Sequence, residues 1–302
     1  MSNIPKFLID LLDEQYNEEL VGQILEGYNT KKVTTFRVNT LKTTLDEVES
    51  FLQDSNISYK KISWYDDAFI LETNKEETLR NLLLYKEGKI YLQSLSSMLP
   101  PLIVEPKSKE SILDMAAAPG GKTTQMAVIS NNEALITAVE KNQIRADRLK
   151  YNLTLQGATK VNVLVEDARK LDEFLRFDKI LLDAPCSGSG TLDANNSKIS
   201  KVFTLELVKN SKKLQIELLR KASSILKENG EIIYSTCSIL KDENEQVLET
   251  ILKEGNLEIV PIDLAKYKDV PMLPVSIPGT LCVCPTELYE GFFVSKLRKI
   301  KK

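Results

Sequence analysis

Short apolar runs separated by helical patterns occupy the last two thirds of the chain, and this alternation constrains the fold more than any other feature. The runs are SILDMA, ALITAVE, VNVLVED, FDKILLDAP and GEIIYSTC, and the longest helical pattern extends from Thr204 to Gly230. Apolar strands that alternate with helices are typical of a parallel sheet covered on both faces. We therefore predict an α/β fold with a doubly wound, mostly parallel sheet, to which EGFFVSKL near the end adds a late antiparallel edge strand.

The residues that end these runs are chemically reactive or charged. Ligands of a doubly wound sheet bind at the carboxyl ends of the strands, so we expect the ends of the runs to share one rim. A single acid at a strand end is often only a helix cap, whereas an ordered set predicts a ligand site. The run ends hold four acids and one thiol, namely Asp114, Glu140, Asp167, Asp183 and Cys237.

The first hundred residues have a different organisation, in which short helical and strand-like patterns are mixed. Helical PKFLIDLLDEQY and EELVGQILEGY precede strand-like TTFRVNT and AFILET. The segment PPLIVEPKSKE then supplies prolines and charges, which are typical of a boundary. We predict a small α+β domain over residues 1–105 and a larger domain over residues 106–302.

Composition excludes several classes of function. The chain of 302 residues contains no histidine, which excludes Cys–His and Ser–His catalysis and removes the commonest zinc ligand. Its net charge of −3 argues against a protein that coats nucleic acid non-specifically, because such proteins are usually basic. No apolar run is long enough to span a bilayer, and the start lacks a signal-peptide pattern. We expect a cytoplasmic protein with no metal site and no membrane partner.

The sequence LDMAAAPGGKTT, residues 113–124, is one residue away from a phosphate-binding P-loop, with Ala116 in place of the first glycine. Alanine lacks the freedom of φ that this glycine provides. Glu140 at the end of the next run suits the hydroxyls of a ribose, and Asp167 suits an adenine amino group. Two acids would repel phosphates but would accept S-adenosylmethionine, whose carboxylate would meet the turn and the following helix N-terminus.

Two cysteines follow consecutive runs, Cys186 in LLDAPCSGSGT and Cys237 in YSTCSILKDENE. Adjacent strands would bring both thiols to one rim, and both lie in polar turns rather than in the apolar surroundings of an inert cysteine. A thiolate beside a methyl donor can activate carbon 5 of a pyrimidine by adding to carbon 6. The strand order alone does not decide which thiol adds. For Cys282 and Cys284, in TLCVCPTE, we expect structural burial on one face of a strand.

The motifs DMAAAPGGKT, DAPCSGSG, YSTCSI followed by ENE, and EGFFVSKL resemble those of the RsmB/Sun (Fmu) family of RNA cytosine-carbon-5 methyltransferases. FRVNTLK and YLQSLSSMLP are also similar, so the resemblance covers nearly the whole chain. It implies a Rossmann-like methyltransferase fold, Cys237 as the nucleophile, Cys186 in product release, and Asp183 at the cytosine amino edge. The S-adenosylmethionine contacts that it implies are Ala116, Ala117, Ala118, Pro119, Gly120, Gly121, Lys122, Glu140, Arg145, Asp167 and Asp183.

These observations together predict a monomeric, S-adenosylmethionine-dependent methyltransferase that makes 5-methylcytosine in RNA. The family resemblance favours ribosomal RNA over transfer RNA, and it assigns RNA binding to the small N-terminal domain. The target base has to be unpaired or flipped before a thiolate can reach it. Two alternatives stay open, a P-loop-like nucleotide-binding protein and a non-enzymatic RNA assembly factor with a vestigial site.

Overall fold

The structure of the protein, a computed structural model, describes residues 3–72, 76–196 and 198–300. The chain divides into two compact units, each built from segments that are distant in sequence. Unit I comprises Met1–Lys32, Asp172–Arg176 and Leu182–Lys302, and unit II comprises Val33–Leu171 and Phe177–Leu181. The domains predicted over residues 1–105 and 106–302 stay a prediction.

Helices and short strands alternate along most of the chain. The helices are α1 (Lys6–Gln15), α2 (Glu18–Asn29), α3 (Leu45–Asp54), α4 (Glu76–Asn81), α5 (Leu83–Lys86), α6 (Leu95–Val104), α7 (Gly121–Ile129), α8 (Gln143–Gln156), α9 (Ile199–Val202), α10 (Leu205–Ile225) and α11 (Glu245–Leu252). The strands are β1 (Thr35–Val38), β2 (Tyr59–Ile62), β3 (Tyr65–Leu71), β4 (Ile90–Leu92), β5 (Ser111–Asp114), β6 (Leu135–Val139), β7 (Val161–Leu164), β8 (Phe177–Asp183), β9 (Leu226–Thr236), β10 (Leu257–Ile259), β11 (Met272–Leu273), β12 (Leu281–Val283) and β13 (Phe292–Lys299).

The N-terminal part of unit II is an antiparallel sheet with the strand order β2-β3-β1-β4. Phe36 of β1 stacks on Phe69 of β3, and both belong to a buried cluster that includes apolar residues of α3. Helix α3 begins at a capping box, in which the Thr44 and Glu47 side chains each accept the other residue's backbone N–H. The α+β character predicted for this part of the chain is confirmed.

The rest of unit II contains the parallel sheet predicted from the apolar runs, with the strand order β8-β5-β6-β7. Its central residues, such as Leu113 and Ile180, are fully buried, as expected for parallel strands covered on both faces. Asp114 ends β5, Glu140 follows β6 directly, and Asp167 lies shortly after β7. These three acids therefore occupy the carboxyl ends of neighbouring parallel strands, where the sequence places them.

Strand β8 contributes to both units, with Phe177–Leu181 in unit II and Leu182 and Asp183 in unit I. In unit I, β13 pairs antiparallel with β9, and it also pairs with β12 and β10. The sequence predicts an edge strand here, but β13 is interior, because β12 and β10 cover its other side. Each of those strands has only three residues, and so short a segment shows no apolar pattern from which a strand could be predicted.

One predicted helix is longer than the observed one. The pattern from Thr204 to Gly230 predicts a helix over that whole range, whereas α10 ends at Ile225 and β9 begins at Leu226. Asn229 has a φ of +59°, a left-handed conformation that a right-handed helix does not accommodate. Across the described residues, no helix combines the length and apolar character that crossing a bilayer requires.

Candidate functional site

The turn that follows β5 is tied to the strands on both sides of it. Met115 donates its backbone N–H to the Leu181 carbonyl of β8 at 3.0 Å. Ala117 donates its backbone N–H to the Val139 carbonyl of β6, also at 3.0 Å. The position of the turn is therefore set by the backbone of the parallel sheet, whatever side chains the turn carries.

The glycine turn, defined here as residues 116–122, leads into helix α7. Gly120 has a φ of +107°, and a Cβ at this position would lie 2.8 Å from Cδ1 of Leu149. Only glycine meets both conditions without strain. Gly121 then starts α7, whose first-turn N–H groups have no partner within the helix. Asp114 is buried and accepts a 2.7 Å hydrogen bond from the Thr123 hydroxyl, so it joins β5 to α7.

Glu140 and Arg145 lie beside this turn. The Glu140 carboxylate is almost fully buried, and its Oε1 accepts a 2.9 Å hydrogen bond from the Asn142 backbone N–H. Its Oε2 lies 3.4 Å from Nη1 of Arg145, whose Nη2 donates to the Ala118 carbonyl at 2.9 Å. A carboxylate offers about four lone-pair positions, so these contacts hold Glu140 in place and leave it able to accept further hydrogen bonds.

Asp167 is held by a near neighbour. Nε and Nη2 of Arg169 donate to its two carboxylate oxygens at 3.1 and 2.6 Å, and the Arg169 backbone N–H donates at 3.0 Å. These hydrogen bonds from Arg169 lower the pKa of Asp167 to about 2 against the opposing effect of partial burial. Asp167 is therefore an ionised acceptor at neutral pH.

The structure thus brings several of the predicted cofactor contacts together within unit II. Glu140 and the glycine turn are joined through Arg145, and Asn152 of α8 donates from Nδ2 to the Pro119 carbonyl at 2.7 Å. The remaining predicted contacts of the turn follow one another along the chain up to the first residues of α7. They are Ala116, Ala117, Gly120, Gly121 and Lys122.

In unit I the two predicted catalytic thiols are in contact. Sγ of Cys186 lies 3.0 Å from Sγ of Cys237, and both cysteines are free and half-buried. The hydrogen bond to Cys237 raises the pKa of the Cys186 thiol, and burial and the negative charges of Cys237 and Glu243 act in the same direction. Either sulfur can be the donor in this contact.

Asp183, the last residue of β8, is half-buried in unit I. Its Oδ1 accepts a 2.8 Å hydrogen bond from the hydroxyl of Ser235, two residues before Cys237. The Ser235 carbonyl in turn accepts the backbone N–H of Ala184 at 2.8 Å. These contacts link the segments that lead into Cys186 and Cys237, so Asp183 has a defined orientation beside the cysteine pair.

Sequence reasoning assigned no role to Glu243, which the structure places next to the cysteine pair. Glu243 is fully buried and accepts hydrogen bonds from Ser187 and Ser238, the residues that directly follow the two cysteines. The signal was available, since the ENE motif begins at this residue. A motif alone does not show which loops a buried carboxylate touches.

Cys282 and Cys284 are both buried in unit I, as predicted, although β12 ends at Val283 and so includes only Cys282. Cys282 lies on β12, paired with Phe293 of β13 and Leu273 of β11. Burial raises the pKa of Cys284 to about 11, so this thiol is protonated at neutral pH. Both behave as small apolar residues of the core.

Comparison with known families gives two matches that together cover most of the chain. Residues 101–298 match the model of the 16S rRNA methyltransferase RsmB/F, and residues 4–76 match that of the RsmF/B-like ferredoxin-like domain. The ribosomal RNA small subunit methyltransferase F of Shewanella sp. (strain ANA-3) is 35% identical over 273 residues, which are 88% of this chain and 56% of the relative. The protein of the same name from Shewanella baltica (strain OS195) is 35% identical over 277 residues, with the same two coverages. The chain thus spans little more than half the length of these curated relatives.

Solved structures give the same fold. A methyltransferase homologue from Pyrococcus horikoshii is 30% identical with a TM-score of 0.86, over 98% of this chain and 96% of that one. NSun6 from Pyrococcus horikoshii, with SFG, has a TM-score of 0.87 at 22% identity, over 99% of both chains, and this likeness concerns the fold alone. The predicted Rossmann-like fold with a small N-terminal α+β domain is confirmed, and so is the family resemblance.

Proposed function

Since this chain belongs to the RsmB/F methyltransferase family, we propose that it transfers the methyl group of S-adenosylmethionine to carbon 5 of a cytosine in RNA. The observation that carries the proposal is the contact between two thiols, since Sγ of Cys186 and Sγ of Cys237 lie 3.0 Å apart on the loops that follow β8 and β9. The curated relatives named above are ribosomal RNA methyltransferases, so we propose ribosomal rather than transfer RNA as the substrate.

In this proposal Cys237 is the nucleophile. Carbon 5 of cytosine is too electron-poor to take a methyl group until a thiolate has added to carbon 6. The Cys237 thiolate forms the bond to carbon 6, and electron density moves to carbon 5, which then takes the methyl group. The proton on carbon 5 leaves to a base, and elimination of Cys237 restores the double bond. The family resemblance assigns this role to Cys237, and its contact with a second thiol, that of Cys186, supports the placement of both cysteines at one site.

Cys186 and Asp183 have supporting roles in the proposal. The family resemblance assigns Cys186 to the release of the methylated base, and its contact with Cys237, the sulfur of the proposed carbon–sulfur bond, supports that role. Asp183, oriented by Ser235, is proposed to accept from the exocyclic amino group of the cytosine and to contact the cofactor. A carboxylate that accepts this hydrogen bond distinguishes cytosine from uracil, which has no such donor.

The residues of the glycine turn fit S-adenosylmethionine, which supplies the methyl group as an electrophile when bound. The α7 N-terminus offers backbone N–H groups to its carboxylate, and Glu140 offers a buried acceptor to the ribose hydroxyls. The ionised Asp167 is a suitable acceptor for the adenine amino group. Glu140 and Asp167 would repel phosphates, which disfavours the P-loop alternative. The proposed contacts are Ala116, Ala117, Ala118, Pro119, Gly120, Gly121, Lys122, Glu140, Arg145, Asp167 and Asp183.

We further propose that residues 1–105 hold the RNA and that residues 106–302 carry out methyl transfer. The separate family matches over residues 4–76 and 101–298 support this division. The target cytosine must be unpaired or flipped out of its helix for Cys237 to reach carbon 6. The proposal describes a cytoplasmic monomer that requires neither a metal ion nor a membrane.

A radiolabelled methyl-transfer assay tests the proposal. The protein is incubated with methyl-labelled S-adenosylmethionine and either ribosomal or transfer RNA, and bisulfite sequencing then locates the modified base. We expect 5-methylcytosine in ribosomal RNA and none with the Cys237→Ala variant. Methylation of transfer RNA alone would overturn the substrate class. Magnesium-dependent binding of a nucleoside triphosphate without methyl transfer would favour the P-loop alternative, and RNA binding without methyl transfer would favour the assembly factor.

A further inference from the structure

The carboxylate of Glu243 connects the two loops that carry the reactive cysteines. Its Oε1 accepts the backbone N–H of Ser187 at 2.7 Å, and its Oε2 accepts the Ser187 hydroxyl. Its Oε2 also accepts the hydroxyl of Ser238 at 2.7 Å. Ser187 follows Cys186 and Ser238 follows Cys237, so one buried side chain holds the residue next to each thiol.

The carboxylate of Glu243 sets the direction of these hydrogen bonds. The Ser238 hydroxyl has a single proton, which it donates to Oε2 of Glu243. The Ser189 and Ser238 hydroxyls lie 2.8 Å apart, so Ser189 is the donor to Ser238. The backbone N–H groups of Ile239 and Leu240 donate to the hydroxyl oxygens of Ser189 and Ser238 at 3.0 and 3.1 Å. Glu243 is thus the final acceptor of this chain of hydroxyls.

Two neighbouring amides extend this network to the other side of each cysteine. Nε2 of Gln215 donates to the Pro185 carbonyl at 3.0 Å and to Oε1 of Glu243 at 3.3 Å. The side chain of Asn244 accepts from the Thr236 hydroxyl at 2.6 Å and donates to the Ser238 carbonyl at 2.9 Å. The residues before and after both cysteines are thus held by one connected set of side chains.

A buried carboxylate is expensive unless it is fully hydrogen-bonded. Burial raises the pKa of Glu243, and the hydrogen bonds from Ser187, Ser238 and Gln215 oppose that effect. Among the described residues, no ion pair involves Glu243. A connected and satisfied network of this kind fixes the geometry of the two loops.

We propose that Glu243 is a positioning residue that holds Cys186 and Cys237 in contact and keeps their thiols in the arrangement that methyl transfer requires. It acts through Ser187 and Ser238 and does not touch the substrate. This inference rests on the proposed function for its catalytic consequence. The geometry of the thiol pair can nevertheless be measured without RNA or cofactor.

Phenylarsine oxide measures that geometry directly, because its arsenic forms bonds to two neighbouring thiols and releases one water. The test compares Glu243→Gln with Glu245→Gln, which changes another buried glutamate of the same motif that contacts the Ser276 backbone instead. We expect Glu243→Gln to bind the arsenical about tenfold more weakly or worse, the effect of losing hydrogen bonds to a charged group. Glu245→Gln should bind it as wild type does, and Cys237→Ser measures the background from the other thiols.

Steady-state kinetics provides the second measurement. If Glu243 positions the thiols, Glu243→Gln should lower kcat roughly 100-fold, as expected for a small misplacement of reacting groups. The KM values for RNA and S-adenosylmethionine should stay near those of wild type. A merely structural role would instead leave the kcat of the folded fraction unchanged. An equal loss in Glu245→Gln, or an unchanged arsenical affinity in Glu243→Gln, would overturn the proposal.

Removal of the Ser238 hydroxyl covers the case in which Glu243→Gln does not fold. Ser238→Ala alone should reduce arsenical affinity in the same direction. Where Glu243→Gln does fold, adding it to Ser238→Ala should have less effect than adding it to wild type, because both act through one contact. Strictly additive effects would contradict the proposed route. If Glu243→Gln binds the arsenical more weakly than Glu245→Gln but the wild-type protein transfers no methyl group, the proposed function is refuted and the positioning role remains.

Discussion

The glycine turn and the cysteine pair are built in different ways. The turn has residues that are contiguous in sequence, and it is held by backbone hydrogen bonds, by a glycine conformation and by two side chains of α8 that donate to its carbonyls. The cysteine pair is held by side chains from distant parts of the chain, since Glu243 bonds Ser187, which lies 56 positions away. The glycine turn should therefore be most sensitive to changes in backbone conformation. The cysteine pair should be most sensitive to changes in single polar side chains, because the loss of one acceptor affects both loops.

The largest expected effect separates the two thiols within the cysteine pair. Cys237→Ala should abolish methyl transfer and form no covalent RNA adduct, because addition to carbon 6 is the first step. Cys186→Ala should still form the bond to carbon 6 but fail to release the product. Denaturing electrophoresis should then show a retarded protein–RNA band that RNase removes.

The double variant is the control for this prediction. It should lose the retarded band, because a block in release matters only after addition has taken place. Without histidine in the chain, no imidazole can replace the missing thiol in proton transfer. An adduct in Cys237→Ala and none in Cys186→Ala would exchange the two roles.

A side-chain change beside the glycine turn should weaken cofactor binding without abolishing it. Glu140→Ala should weaken S-adenosylmethionine binding by about 1.5–3 kcal/mol, the range for a lost charge-assisted hydrogen bond. Isothermal titration calorimetry measures it, and RNA affinity should change little. Glu133→Ala, which removes an exposed glutamate just before β6, is the matched control and should bind normally. Unchanged cofactor affinity in Glu140→Ala would show that the ribose lies elsewhere.

A backbone change tests whether the turn depends on conformation. Gly120→Ala should destabilise the protein by about 1–3 kcal/mol, since alanine is strained at positive φ and its methyl group would meet Leu149. Gly22→Ala in α2 is the control, because its Cβ meets nothing within 4 Å. That change should stabilise the helix by up to about 1 kcal/mol. Equal denaturation midpoints for the two variants would contradict a turn built by its backbone.

The smallest expected effect is a shift in thiol titration. The hydrogen bond between Cys186 and Cys237 raises the pKa of Cys186, and burial acts in the same direction. Cys237→Ala removes this hydrogen bond, so the pKa of Cys186 should fall and its alkylation by iodoacetamide should begin at lower pH. Peptide mass spectrometry across a pH series measures this. Cys237→Ser keeps a hydrogen-bond partner and should shift less, whereas an unchanged alkylation midpoint in Cys237→Ala would argue against an effect of the thiol contact.

Much of the fold was predictable because it depends on local patterns. The apolar runs predicted β5, β6, β7 and β8 as parallel strands, and the acids at their ends lie where the runs end. The interior position of β13 was not predictable, because the three-residue strands that cover it leave no periodic pattern. The end of α10 at Ile225 was also missed, since its amphipathic pattern continues into residues that form β9.

The sequence by itself determined the parallel sheet, the glycine turn and the two thiols in polar turns, because each is encoded within a few consecutive residues. Only the tertiary structure decided that Cys186 and Cys237 touch and that Glu243 holds both loops. The physical reason is distance along the chain. Contacts between residues some fifty positions apart depend on how the strands assemble.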